Sequence, residues 1–296
     1  MTIHSKGVVL TMLGVLLLTP DTLLLRLIGM DVFTTAFWRG IFQSIGVFIL
    51  VVAFYRGRTI EAFRAIGFAG FLVAFFFAAT TLTFVGAVKN TSVANALVLL
   101  ASTPFHAAVF SRIFLGESIP RRTWIAIFVG MFGVAIIVSD GVGGGTLLGD
   151  GLALLTAVML AAKFTIVRSR RDINMIPAVV LSSALYATAA FVLGGPPVIP
   201  NDTQLMWLLI LGFVVITPAT ALMTLGPRYI SAPEVSLIVL LETVLGPLWV
   251  WIVIGEEPTR MALIGGTIVV STLVVHSLVG LRAQRRANRR AIAEAT

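Results

Sequence analysis

Ten runs of predominantly apolar residues, each close to the length a helix needs to cross a hydrocarbon layer, take up almost the whole of this sequence. The first five are Gly7 to Ile28, Phe33 to Phe54, Ala65 to Val85, Thr91 to Ile113 and Thr123 to Ser139. The second five are Gly149 to Arg168, Ile176 to Leu193, Gln204 to Leu225, Ser231 to Ile254 and Met261 to Leu278. Short polar or glycine-bearing connections separate them, and no long soluble domain fits between. Composition points the same way, since 58% of residues are hydrophobic and only 11% charged, against about 25% charged in an ordinary soluble domain. With a mean hydropathy of +1.04, the apolar side chains exceed what one core can hide, so the remainder must face lipid. The expected fold is an all-α integral membrane protein of ten transmembrane helices. The first run follows Lys6, outlasts a signal-peptide core and lacks a small-x-small cleavage site, so it is expected to stay in the mature chain.

The charge balance, 21 basic against 13 acidic residues, would suit a nucleic-acid partner if the basic residues were grouped on a soluble face. They are sorted by loop instead. With the N-terminus inside, Arg56, Arg58 and Arg64, then Arg112, Arg121 and Arg122, then Arg168, Arg170 and Arg171, then Arg228 all fall on the cytoplasmic side. The opposite loops hold Lys89 and Arg260, with Arg26 near an outer helix end. An even number of crossings returns residues 280–296 to the cytoplasm as a basic tail carrying Arg282, Arg285, Arg286, Arg289 and Arg290, able to touch anionic lipid. The expectation is a multi-pass protein of the plasma (inner) membrane with both termini cytoplasmic, no nucleic-acid partner, and a monomeric or homodimeric state. Zero cysteines exclude disulfides, thiolate metal sites and a cysteine nucleophile.

A shift of 139 residues superposes one half on the other. It brings Lys89-Asn90-Thr91-Ser92 onto Arg228-Tyr229-Ile230-Ser231, Leu115-Gly116-Glu117 onto Ile254-Gly255-Glu256, and Ala126 onto Gly265. The repeats run from 7 to 139 and from 149 to 279. Each holds an odd number of spans, so the second copy enters the membrane from the opposite side. Inverted repeats of this kind supply two equivalent states facing opposite compartments, the arrangement that alternating access needs.

Ionisable groups inside hydrocarbon cost several kcal/mol and mark function unless a structural partner explains them. Four occur inside the spans: Asp21, Arg39, Lys163 and Glu242. At about 1.5 Å per helical residue, Asp21 and Arg39 both lie roughly 10 Å from the outer boundary. By the same measure Lys163 and Glu242 both lie roughly 18–21 Å from it, near the midplane. The expected pairs are therefore Asp21 with Arg39 and Lys163 with Glu242, either lining a cavity or acting as fixed interhelical bridges. In a cavity, a carboxylate would exchange a proton or hold a cargo amine, and a cation would hold a cargo carboxylate.

Pro20, Pro104, Pro218 and Pro247 fall inside spans and each deprives the carbonyl four residues earlier of its donor. For Pro20 that carbonyl belongs to Leu16, and for Pro247 to Thr243, beside Glu242. Breaks in both halves supply hinges and exposed carbonyls around a midplane site, or static kinks satisfied by neighbouring hydroxyls. His106 and His276 stand in different spans and read as packed or hydrogen-bonded side chains, so no metal is expected. Phe75, Phe76 and Phe77 are consecutive and point around their helix, which suits lipid contact and packing more than a stacking platform. Trp38, Trp124 and Trp207 suit interface anchoring, and Trp249 lies deeper, where it could help line a cavity. Gly141-Val142-Gly143-Gly144-Gly145 lacks the lysine-serine pair of a phosphate loop and reads as the linker between repeats.

At these residues the sequence resembles the drug/metabolite transporter superfamily, in its EamA-type ten-span branch, from Gly7 to about Gly280. The carriers are Thr91-Ser92-Val93-Ala94-Asn95 at the start of span four, Pro104 followed by Leu115-Gly116-Glu117, and Leu241-Glu242-Thr243 followed by Gly255-Glu256. Arg39 matches an arginine common in that family, whereas Thr243 stands where the family usually has proline. The resemblance implies a basket-like helical bundle that exports or exchanges small metabolites or drugs without ATP. The function expected is secondary transport, as an exporter of amino acids, related compounds or drugs, with a small-molecule substrate, a proton as coupling ion, the bilayer as solvent and no cofactor. The alternatives are an intramembrane enzyme, for which neither a His-Glu zinc motif nor a serine-histidine arrangement is present, and a non-transporting scaffold.

Overall fold

The computed structural model describes residues 3–139, 146–255, 257 and 259–295, with side chains for all but Ala94 and residues 281–295. The Gly141–Gly145 linker, Glu256 and the tail arginines' side chains lie outside the described residues. Everything regular among the described residues is helical: α1 Ile3–Leu18, α2 Asp21–Ile28, α3 Val32–Tyr55, α4 Thr59–Asn90, α5 Val93–Leu100, α6 Thr103–Leu115 and α7 Arg121–Ile137. There follow α8 Leu147–Ser169, α9 Ile176–Gly194, α10 Asp202–Leu209, a π-helical stretch Ile210–Ile216, α11 Thr217–Leu225, a 3₁₀ turn Gly226–Arg228, α12 Ala232–Val239, α13 Leu241–Ile254 and α14 Arg260–Ala295. Among the described residues, nine segments are long and apolar enough to cross a membrane. The tenth apolar helix, α7, has 17 residues, about 25 Å at 1.5 Å per residue, which is the lower end of the spanning range.

Several spans are not single helices. Span one divides at Thr19-Pro20 into α1 and α2, span four at Ala101-Ser102 into α5 and α6, and span nine at Leu240 into α12 and α13. Span eight carries the π-helical stretch directly before Pro218. α4 begins at Thr59, earlier than the hydropathy indicated, and bends at Gly67, whose φ of 51° and ψ of −151° are open to glycine because it has no Cβ.

The 139-residue shift holds in local conformation as well as in sequence. It relates Ser92 to Ser231, each opening a helix: Ser92 Oγ accepts from Asn95 N at 3.1 Å, and Ser231 N donates to Glu234 at 3.0 Å. It relates the break at Ala101 to the break at Leu240, the left-handed helix ends Gly116 and Gly255, and the helix starts Arg121 and Arg260. Packing follows the same rule. Spans two and seven (α3, α9), four and nine (α6, α12) and five and ten (α7, α14) pair with their own counterparts, while α4 lies on α8 just as α1 lies on α11. Exchanging the halves maps this pattern onto itself.

Small residues set the closest approaches. A Cβ at Gly133 would come within 2.8 Å of Val269 Cγ2, and one at Gly265 would meet the Gly133 carbonyl oxygen, so α7 and α14 touch backbone to backbone there. Large apolar residues such as Phe54, Phe68, Phe132 and Leu148 point outward, as a lipid-facing surface requires. Each end of the bundle carries its own set of polar contacts. At one, Trp38 Nε1 donates to the Val198 carbonyl at 3.0 Å and Lys89 sits 3.9 Å from the centre of the Phe33 ring. Asp31 caps α3 there by accepting from Phe33 N and Thr34 N, and its hydrogen bonds with Thr34 hold its carboxyl below the usual carboxylate range. At the other, which we call the basic end, Arg168 pairs with Glu117, and Arg228 donates to the carbonyls of Arg171 and Asp172.

Candidate functional site

The site begins at the break in span one. Pro20 leaves the Leu16 carbonyl without an amide donor, and the Thr19 hydroxyl takes that place at 2.8 Å. Trp249 Nε1, from α13 in the other repeat, donates to the same hydroxyl at 2.8 Å. Trp249 therefore braces the break with its indole nitrogen while the residue remains 40% exposed. The break turns Asp21 into the first residue of a new helix, where unpaired backbone amides favour a carboxylate. Asp21 is buried, and its Oδ2 accepts from Arg39 Nη2 of α3 at 2.9 Å. Its Oδ1 is buried and has no hydrogen-bond partner.

The second repeat contributes the third charge. The break at Leu240 places Glu242 in the first turn of α13, the same relation to a half-helix that Asp21 has to α2. α13 lies close along α2, with a Cβ built on Gly246 only 3.1 Å from Thr22 Oγ1. That approach carries Glu242 within electrostatic reach of both Asp21 and Arg39. One guanidinium thus serves two carboxylates, each at the N-terminus of a broken helix, one from each repeat. With all three ionised, the group has a net charge of −1.

A hydrogen-bonded chain runs near Arg39, which lies within electrostatic reach of its member Tyr186. One turn along α3, Gln43 accepts from Tyr186 Oη at 2.7 Å and donates to Thr220 Oγ1 at 3.1 Å, and Thr220 donates to the Ile216 carbonyl at 2.7 Å. Gln43, Tyr186 and Thr220 are all buried. The sequence reading passed over them because it screened the spans for charge; a screen for uncharged amides would have met Gln43 in an otherwise apolar run.

Lys163 departs from expectation. It makes no ion pair with Glu242; among the described residues it has neither a carboxylate within 4.0 Å nor a hydrogen bond. Its ammonium lies 3.5 Å from the centre of the Phe77 ring and 5.1 Å from that of Phe164. α8 packs along α4, so Lys163 meets Phe77, while α13 turns toward α2. Phe77 is therefore a cation–π partner and not merely a packing residue.

The four prolines differ in setting. Pro20 and Pro104 follow threonines whose hydroxyls close the freed carbonyls, Thr19 to Leu16 and Thr103 to Leu100 at 2.6 Å. Pro104 and Pro218 sit in the first turns of α6 and α11, where a missing N–H costs nothing, so the irregular backbone precedes them. Thr217 Oγ1 bonds the Gly212 carbonyl at 2.7 Å within the π-helical turn. Pro247, expected as a break, lies inside a continuous α13; span nine breaks at Leu240 instead. His106 bonds the Ser102 carbonyl at 3.0 Å, and His276 the Thr123 hydroxyl at 3.2 Å. No group of three metal-binding side chains occurs among the described residues.

Two repeats of broken apolar helices, with ionisable groups from both brought together, define a multi-pass membrane protein. The sequence profile of the EamA-like transporter family matches residues 5–139 and 147–278, and the chain belongs to that family. No curated protein matches it in sequence. The fold is similar to that of a solved structure titled only "Crystal structure of protein", at a TM-score of 0.79 and 17% identity, over 95% of this chain and 99% of the other.

Proposed function

We propose that this protein is a secondary transporter that moves small metabolites, amino acids and related compounds or drugs, outward across the plasma (inner) membrane by alternating access. The observation that carries the reading is the Asp21–Arg39–Glu242 group, built on half-helices of both repeats, so that rocking one repeat against the other must remake its contacts. The symmetric packing of the halves supports two equivalent states, with the second repeat inverted relative to the first. Glu242, within Coulomb reach of both Asp21 and Arg39, is the group suited to exchange a proton for cargo, and Lys163 is the cation available to a cargo carboxylate. The basic end faces the cytoplasm in this reading, as does the tail.

Purified protein in proteoliposomes, screened with amino acids, purines and cationic drugs, tests the reading. Saturable flux without product formation is the expected result. Product formation would make the protein an enzyme, and neither flux nor product would leave a scaffold. Because the chain has no cysteine, Ser118→Cys and Thr259→Cys report topology directly. Labelling of both from the same side would overturn the inverted arrangement.

A further inference from the structure

At the basic end, a cavity of about 480 Å³ is bordered by His4, Glu117, Arg122, Arg168, Tyr229 and Glu234. The ties across it differ in kind. Arg122 Nη1 donates to the Val279 carbonyl at 3.4 Å, and His4 stands 3.9 Å from Glu234; both are long. The bond from Arg168 Nε to Glu117 Oε1 is 2.7 Å, between two ionised groups, and Arg168 Nη1 also donates to the Pro227 carbonyl at 3.2 Å. Glu117 follows α6 in the first repeat, while Arg168 and Pro227 belong to the second, so this contact clamps one repeat to the other.

The clamp is not saturated. Glu117 Oε2 is buried without a hydrogen-bond partner, and so is Arg122 Nε, an acceptor and a donor on the border of the same cavity. Arg122 belongs to the same repeat as Glu117. If the repeats part at this end, Arg168 leaves with the second repeat, and Glu117 needs a replacement cation that moves with it. We propose that Glu117 is a two-position latch: it holds the basic end shut through Arg168 in the state seen here, and transfers to Arg122 when that end opens. Each state then contains one ion pair for the same carboxylate, so opening does not strand a charge in a partly buried site. This inference rests on the transport reading for its purpose, but its test needs no cargo.

The full chain offers a background free of cysteine. Ser111→Cys places a thiol on α6 at a fully buried position whose carbonyl accepts from Glu117 N at 3.1 Å. Its rate of modification by a charged methanethiosulfonate reagent, added from the basic-end side of proteoliposomes, reads opening at that end. Glu117→Gln and Arg168→Gln should each raise the rate roughly tenfold, corresponding to about 1.4 kcal/mol lost from the closed state. The exchange Glu117→Arg with Arg168→Glu should restore slow labelling, which separates the latch from general misfolding. Arg122→Gln, by removing the alternative partner, should make labelling slower than in the parent. Unchanged rates in Glu117→Gln and Arg168→Gln would overturn the latch, and an unchanged or faster rate in Arg122→Gln would overturn the transfer. Absence of flux with these labelling results intact would instead strike the transport reading.

Discussion

Removing Arg39 should harm this protein more than removing Asp21, although the two form one ion pair. Arg39→Gln leaves two carboxyl groups, Asp21 and Glu242, within electrostatic reach of each other without their shared cation, and Asp21 is also buried. Breaking a buried pair in this way costs about 3 kcal/mol, the lower end of the usual range, chosen because the Arg39 side chain is 26% exposed. Asp21→Asn leaves Arg39 with Glu242 still in reach, so the loss is that of one charge-assisted hydrogen bond, about 1.5 kcal/mol. Scaled to a helical unit of this size, these become falls in Tm of roughly 6–10 °C and roughly 3–5 °C. Thermal unfolding of purified variants in detergent, followed by tryptophan fluorescence, resolves that difference. A cycle adding Glu242→Gln sharpens it: on that background Asp21→Asn should cost about 1–3 kcal/mol more than on the parent, since nothing remains to share Arg39. Equal or greater loss from Asp21→Asn than from Arg39→Gln, or strict additivity with Glu242→Gln, would refute the picture of one cation serving two acids.

Three further outcomes follow from particular contacts. Glu242→Gln should remove the pH dependence of flux while the protein still folds, and a pH profile identical to the parent's would take Glu242 out of the coupling role. Thr19→Ala strands both the Leu16 carbonyl and the Trp249 indole N–H, a loss of about 1–3 kcal/mol that Thr19→Ser should largely restore; a neutral Thr19→Ala in thermal unfolding would show that the break is closed otherwise. Lys163→Met should leave Tm within about 2 °C of the parent, because the ammonium lost there has only ring faces to offset its desolvation, yet it should weaken uptake of carboxylate-bearing cargo relative to uncharged cargo. A large drop in stability would make Lys163 a structural residue.

What the linear chain determined was everything that depends on solvent and on spacing along one helix. Apolar runs long enough to cross a bilayer cannot do otherwise than form helices there, because no other structure satisfies their backbone groups within one segment. Depth, being about 1.5 Å per residue, brought Asp21 and Arg39 to one level, and the 139-residue shift related helix starts, breaks and left-handed ends two by two. Depth says nothing about azimuth. Spacing gives Lys163 and Glu242 similar expected depths, but which neighbour each meets depended on the packing of α8 along α4 and of α13 along α2, fixed by small residues such as Gly246 on helices distant in sequence. For the same reason the Glu117–Arg168 clamp, the Gln43–Tyr186–Thr220 chain and the hold of Trp249 on Thr19 emerged only from the assembled bundle. Periodicity along a chain measures height in the membrane, whereas contact between helices is decided by the sideways fit of their surfaces.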